Sequence, residues 1–277
     1  MEWPKLKNLI ILVLLIVNSF LLVLVGARWQ ESVSYERTAL EQTIQVLERG
    51  GIHVEADAVT PADGLHPMAV ERDLAREARL ARTLLGEEVQ GDNRGGGLYR
   101  YRGALGEVSF RPGGELSAEL TADARWETAK PEQHAGSVLR ELGIEAAQAG
   151  TAAEGEETTV RMIQSWNGAP VFSCEVALVY RDGRLAALRG TLLLAETGTA
   201  EAGQALTLPT ALMRFSEEIA AAGDVCSAVR SMEAGYRGTA QSLSGGSRLT
   251  PVWLVTTDTA RYYLDCVTGA LTRLADQ

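Results

Sequence analysis

Residues 9–25 read LIILVLLIVNSFLLVLV, with no charge and only Asn18 and Ser19 polar. Gly26 and Ala27 extend the run to 9–27, and a helix of that length rises about 28 Å, enough to cross a hydrocarbon core of about 30 Å. Trp3 and Trp29 stand just outside its two ends, where amphipathic rings favour the headgroup level. Lys5 and Lys7 precede the run with only Glu2 against them, whereas Arg28 and Arg37 beyond it are balanced by Glu31 and Glu36. The basic excess predicts a cytoplasmic N-terminus (1–8), one transmembrane helix (9–27), and an extracellular remainder, making a single-pass protein of the cell membrane. A cleaved secretory signal is the competing reading, with Val25-Gly26-Ala27 as its small-residue site. The run is longer than the usual apolar region of roughly 7–15 residues, and Trp29 looks like an anchor. Both readings export the rest of the chain.

The 277 residues, 46% of them hydrophobic, suffice for one or two domains with buried cores. Removing residues 1–27 takes away Lys5, Lys7 and Glu2, so 26 basic and 36 acidic residues become 24 and 35, a net charge of −11. An acidic exported domain is a poor partner for nucleic acid. Cys174, Cys226 and Cys266 form no C-x-x-C. One disulfide plus a free thiol, or three buried thiols, fit equally.

The pattern beyond residue 28 alternates helices with short strands. Residues 30–49 read as a helix, with Leu40, Ile44 and Leu47 on one face and Gly50-Gly51 as its stop. It either continues the membrane helix as a stalk or packs on the first domain. Residues 52–59 alternate as a strand, and 67–85 read as a second helix with Pro67 near its start. Arg72, Arg76, Arg79 and Arg82 share a face of that helix. They offer a surface contact to anionic membrane lipid or an acidic partner, or else a solvated, ion-paired face diluted by Glu71, Asp73 and Glu77. Residues 91–97 read as a loop and 98–120 as a meander turning at Pro112-Gly113-Gly114, with 121–130 as the exit of a membrane-proximal domain over 28–128.

From 129 to 277 one pattern occurs twice, over 129–200 and 205–277: a helix opened by Pro131 or Pro209, then strands. Asp182-Gly183 marks the clearest hairpin. Residues 145–157 read as a polar connection. The fold class predicted is α+β, with antiparallel sheets each packed by a helix in repeated helix-plus-hairpin units, paired into one C-terminal domain or standing as two lobes.

The residues of catalysis are scarce. His53, His66 and His134 are the only histidines; no H-E-x-x-H, no G-x-S-x-G and no lysine-bearing phosphate loop occurs. The SLSGGS stretch (242–247) reads as a flexible turn. Glu87-Glu88 and Glu156-Glu157 are adjacent carboxylates in polar loops, which do not face each other across a cleft. These tests predict no enzyme, no metal and no cofactor. Asn18, near the middle of the apolar span, needs a hydrogen-bond partner from another helix or from its own backbone.

The opening Met1-Glu2-Trp3-Pro4-Lys5-Leu6-Lys7-Asn8, followed by the apolar run with Asn18 and Phe20-Leu21-Leu22, resembles the N-terminus of the YycI family. YycI and its relative YycH are single-span regulatory proteins of Gram-positive bacteria. The last repeat, with Pro251-Val252-Trp253 and Tyr263-Leu264-Asp265-Cys266-Val267-Thr268-Gly269-Ala270-Leu271, is similar to the hairpin ending of PepSY-type modules. The resemblance implies an accessory regulator of the cell-wall two-component sensor histidine kinase, acting with a YycH-like partner through the membrane helix and the exported domain. It brings Val17, Asn18 and Phe20 forward as helix-contact residues and offers no catalytic residue. An exported PepSY-like inhibitor or ligand-binding module, acting on an extracellular peptidase or wall enzyme, is the alternative.

Overall fold

Side-chain periodicity sets the first element. In the computed structural model, which describes residues 3–121, 126–195, 197–240 and 246–275, helix α1 spans Trp3–Arg49. Its C-terminal part buries Ile44 and Leu47 and half-buries Leu40, the stripe expected from the sequence, against the core of the C-terminal unit. The chain then makes β1 (His53–Val54), a 3-10 turn (Ala56–Ala58) and β2 (Met68–Val70).

Three units follow, each a helix leading into four antiparallel strands. The first is α2 (Leu74–Leu85), β3 (Gln90–Asn93), β4 (Tyr99–Gly103), β5 (Gly106–Phe110) and β6 (Glu115–Leu120). The second is α3 (Pro131–Glu141), β7 (Ala146–Glu154), β8 (Glu157–Trp166), β9 (Ala169–Arg181) and β10 (Arg184–Thr191). After β11 (Gly198–Ala200), the third is α4 (Leu208–Ala222), β12 (Ala228–Ala240), β13 (Ser247–Thr257), β14 (Arg261–Asp265) and β15 (Leu271–Arg273). The stop and turn signals act as their chemistry requires. Gly143 and Gly223 follow α3 and α4 at φ +73° and +72°, and Asp182-Gly183 turns β9 into β10 at φ +51° and +73°.

The first two units share one sheet in the order β3-β4-β5-β6-β10-β9-β8-β7. Their common core runs from Leu84 and Leu85 of α2 through Phe110 and Leu116 to Leu139 of α3 and Tyr180 of β9. It crosses the boundary expected near residue 128. In the third unit, β12, β13, β14 and β15 pair in sequence, while β1 joins β12 in parallel and β2 joins β13. Trp253 is fully buried there, and its indole Nε1 donates to the Thr60 carbonyl at 2.9 Å. A single parallel register pair, Tyr236 with Val171, joins β12 to β9.

Four expectations need correction. Among the described residues no helix is long and apolar enough to cross a membrane. The side chains of α1 are described at 11–22 and from Tyr35 onward. The transmembrane helix expected over 9–27 is therefore withdrawn. Second, the strands form one mixed fifteen-stranded sheet instead of separate antiparallel ones, because β1 and β9 add to β12 in parallel. Third, the helix expected from Pro67 begins at Leu74: Asp73 caps it by accepting from Ala75 N (2.8 Å) and Arg76 N (3.1 Å), and Met68–Val70 pairs with β13 and β11. Fourth, the polar connection 145–157 contains β7, a strand with little hydrophobic alternation because most of its side chains face water. Four of the six positions of the turn expected at 242–247 lie outside the described residues, as do 122–125 of the expected exit segment. The side chains of Trp3, Trp29 and Val25-Gly26-Ala27 also fall outside them.

Candidate functional site

The arginines of the α2 region separate once the helix start is known. Arg72 precedes the cap, so it does not follow helical spacing and turns inward. Its side chain is 8% exposed and that of Glu77 is 3% exposed. Arg72 Nε donates to Glu77 Oε1 at 2.5 Å and its second arm donates to Oε2 at 3.0 Å, a two-pronged pair. The same guanidinium donates to the Gly97 carbonyl at 2.6 Å and lies 5.3 Å from the centre of the Tyr99 ring. Burial raises the Glu77 carboxyl above its ordinary range, and the bonds and charge of Arg72 pull it partly back.

Arg76 is half-buried and donates to the carbonyls of Ala195 and of Gly143, the latter at 2.8 Å. The surface contact expected of Arg72 and Arg76 is thus corrected: both side chains tie α2 to other parts of the fold. Arg79 remains on the surface, about half exposed and 3.7 Å from Asp73.

Through Ala195, Arg76 reaches the connection out of β10. Leu192, Leu193, Leu194 and Ala195 are all buried, yet their backbone has no regular strand partner. Gln164, 2% exposed, donates to the Leu193 carbonyl at 3.0 Å and accepts from Leu193 N at 2.7 Å. Asp73 N donates to the Leu194 carbonyl at 3.0 Å. Side chains and irregular backbone contacts together thus serve the polar backbone that crosses the interior, as burial demands. Sequence reading passed over Gln164, although strict alternation puts it on the same inward face as Val160, Met162 and Trp166. A polar residue at a core position was the available signal.

Two spaces adjoin this seam. A cavity of about 60 Å³ lies between Arg72, Glu77, Ser173, Cys174 and Leu193, room for a few water molecules. Burial pushes the Cys174 thiol up to about 11, so it is protonated near neutral pH and a poor nucleophile. An open pocket of about 440 Å³ is bordered by Arg76, Glu145, Gln164, Trp166 and Asn167. The histidines lie apart from both: His53 faces Glu48 at 3.5 Å, His66 Nδ1 lies 3.4 Å from the Gly203 carbonyl, and His134 Nδ1 lies 3.1 Å from the Tyr180 hydroxyl. Among the described residues no three His, Cys, Asp or Glu side chains group as metal ligands, and the three thiols are unbridged.

The remaining candidate surface is on α1. Its residues 11–22 are exposed, with Val17 at 48%, Phe20 at 64% and Leu22 at 75%, and Asn18 stands exposed among them. Farther along α1 a groove of about 260 Å³ runs between Glu36 and Leu40 of that helix, Val59, Pro61 and Leu208.

No protein family matches the chain, and no curated protein matches it. Among solved structures it is similar to an uncharacterized protein from Eubacterium rectale ATCC 33656, at TM-score 0.51 and 12% identity, over 81% of this chain and 91% of that one. That likeness shows a shared fold. It is also similar to the Bacillus megaterium YpeB C-terminal domain, at TM-score 0.41 and 13% identity, over 75% of this chain and 100% of that one.

Proposed function

We propose that the protein is a non-enzymatic accessory regulator, of the YycI kind and built on PepSY-like units, that biases a sensor histidine kinase by direct contact. A YycH-like regulator is its second partner in this reading, and the kinase's extracytoplasmic side is its place of action. The observation that carries the proposal is the exposed apolar stretch Ile11–Leu22 of α1, which the rest of the described structure leaves uncovered. Contiguous exposed apolar surface of that kind marks an interaction site. Val17, Asn18 and Phe20 are its contact residues, Asn18 adding an amide that a partner helix can satisfy. Arg72 and Arg76, consumed inside the fold, leave this contact to α1. A regulator of this sort acts only through its different affinities for two kinase states, and a contact worth about 1–2 kcal/mol shifts their ratio by roughly 5–30-fold.

The test is photo-crosslinking in whole cells from a probe at Phe20, with the products identified by mass spectrometry. A crosslink to a sensor kinase or a YycH-like protein is expected. Crosslinks confined to this chain, or to neither class of protein, overturn the reading.

A further inference from the structure

Among the described residues five strands end the sheet with one side unpaired, and four of them are short: β1 has two residues, β11 and β15 three each, and β3 four. The fifth, β7, has nine residues, pairs only with β8, and leaves seven of the nine exposed. Its sequence AAQAGTAAE carries one charge, at the last position, and neither proline nor lysine. Proteins blunt free edges with short strands, charges, prolines or bulges, because an open row of N–H and C=O groups is a template for another strand. Here the strand itself carries the bulge between Gln148 and Gly150 and the single charge of Glu154. Arg161 crosses the strand at that point, since a Cβ on Gly150 would stand 3.1 Å from its guanidinium, and it already faces Glu175 at 3.8 Å.

The ends of this edge are acidic. Exposed Glu145 stands just before it, and exposed Glu154 and Glu156 close it. A second copy paired antiparallel about Gly150 would bring Glu145 of each chain next to Glu154 and Glu156 of the other, a like-charge arrangement that opposes pairing. A foreign strand with basic residues at both ends meets the same carboxylates favourably.

We infer that β7 is a docking edge for an extended segment of another protein, added as a ninth strand to the sheet of the first two units. The segment has small or β-branched residues in its middle and lysine or arginine at both ends. Main-chain hydrogen bonds supply the attachment and the flanking charges supply the selection. This surface is distinct from the α1 contact, so either can fail without the other.

The probe is a fluorescent nine-residue peptide, KTVTVSVTK, titrated into the full chain and read by anisotropy, with amide hydrogen exchange mapping the contact. Saturable binding is expected, with added protection over 146–154, and the peptide with glutamate at both ends should bind at least about tenfold more weakly. Residues of an edge strand point their N–H groups alternately toward and away from the neighbouring strand, so one of Thr151→Pro and Ala152→Pro removes an outward N–H and spares the β7–β8 ladder. The variant that keeps native circular dichroism should lose binding. Absence of binding, protection elsewhere, indifference to the flanking charges, or unchanged binding by the folded proline variant overturns the inference. A stable dimer protected over 146–154 overturns it too, because the edge would then belong to a second copy.

Discussion

Gln164 and Leu193 exchange two hydrogen bonds, so one buried side-chain amide replaces the neighbouring strand that the connection out of β10 lacks. The consequence is a buried connection between the second and third units in which the N–H and C=O of Leu193 are both satisfied.

Replacing Gln164 with leucine removes both partners and strands the N–H and C=O of Leu193. At about 1–3 kcal/mol for each buried unsatisfied group, the variant should lose about 2–5 kcal/mol. Urea unfolding should show a lower midpoint with an unchanged slope. A midpoint equal to that of the parent would mean that water or other groups serve this backbone.

Arg72→Met should destabilise more strongly, by about 3–5 kcal/mol at neutral pH, because it leaves the Glu77 carboxylate buried without its cation. The parent protein carries a pH signature at the same place. Glu77 has its folded value raised above the ordinary 4.5, so its contribution is full below 4.5 and is lost as pH rises through the folded value. Glu77→Gln should flatten stability against pH in the window that opens at 4.5. Parallel curves for parent and variant would contradict the assignment.

Gly235 admits the chain of β9 at the joint between the two halves of the sheet. A Cβ there would stand 2.5 Å from the Pro170 carbonyl oxygen and 2.7 Å from the Phe172 ring. Gly235→Ala should cost about 1–3 kcal/mol through overpacking and should loosen the Tyr236–Val171 pairing. Thermal unfolding measures the first effect, and amide exchange at those two residues the second.

The thiols offer a check on burial. Cys226 is half-exposed, whereas Cys174 and Cys266 are buried. A disulfide reagent at pH 8 should modify Cys226 first and reach the other two only when denaturant is added. Rapid native reaction of Cys174 would contradict the closed seam around it.

Much of this fold was written in local patterns. The i, i+4, i+7 spacing of Leu40, Ile44 and Leu47 gave the packing face of α1, and Asp182-Gly183 gave its hairpin, because both depend on near neighbours alone. The first unit was harder to see as a repeat. Arg72 to Arg79 looks helical throughout, and only the Asp73 cap together with the pairing of β2 to the distant β13 moves the start to Leu74. β7 was hidden for another reason: a strand exposed to water has no alternation to display. The roles of Arg72 and Gln164 depend on what they meet across the fold, which spacing alone does not encode. Even so, a glutamine on the inward face of 160–166 was a visible flag.

The parallel pairing of His53 and Val54 with Ala228 and Val229 also has a bearing on how the chain is made. Ile44, Leu47 and Val54 share a core with Phe215, Trp253 and Tyr262, residues that a ribosome delivers much later than the segment they shelter. The first and second units can close while the chain is still growing. The segment from α1 to β2 cannot, and it must wait with its apolar side chains unsheltered until α4 and β12 to β14 arrive. Such late, long-range closure is slow and prone to aggregation. The segment from α1 to β2 is therefore made well before the partners that cover it, and its exposure in the interval is the point at which a chaperone has most to protect.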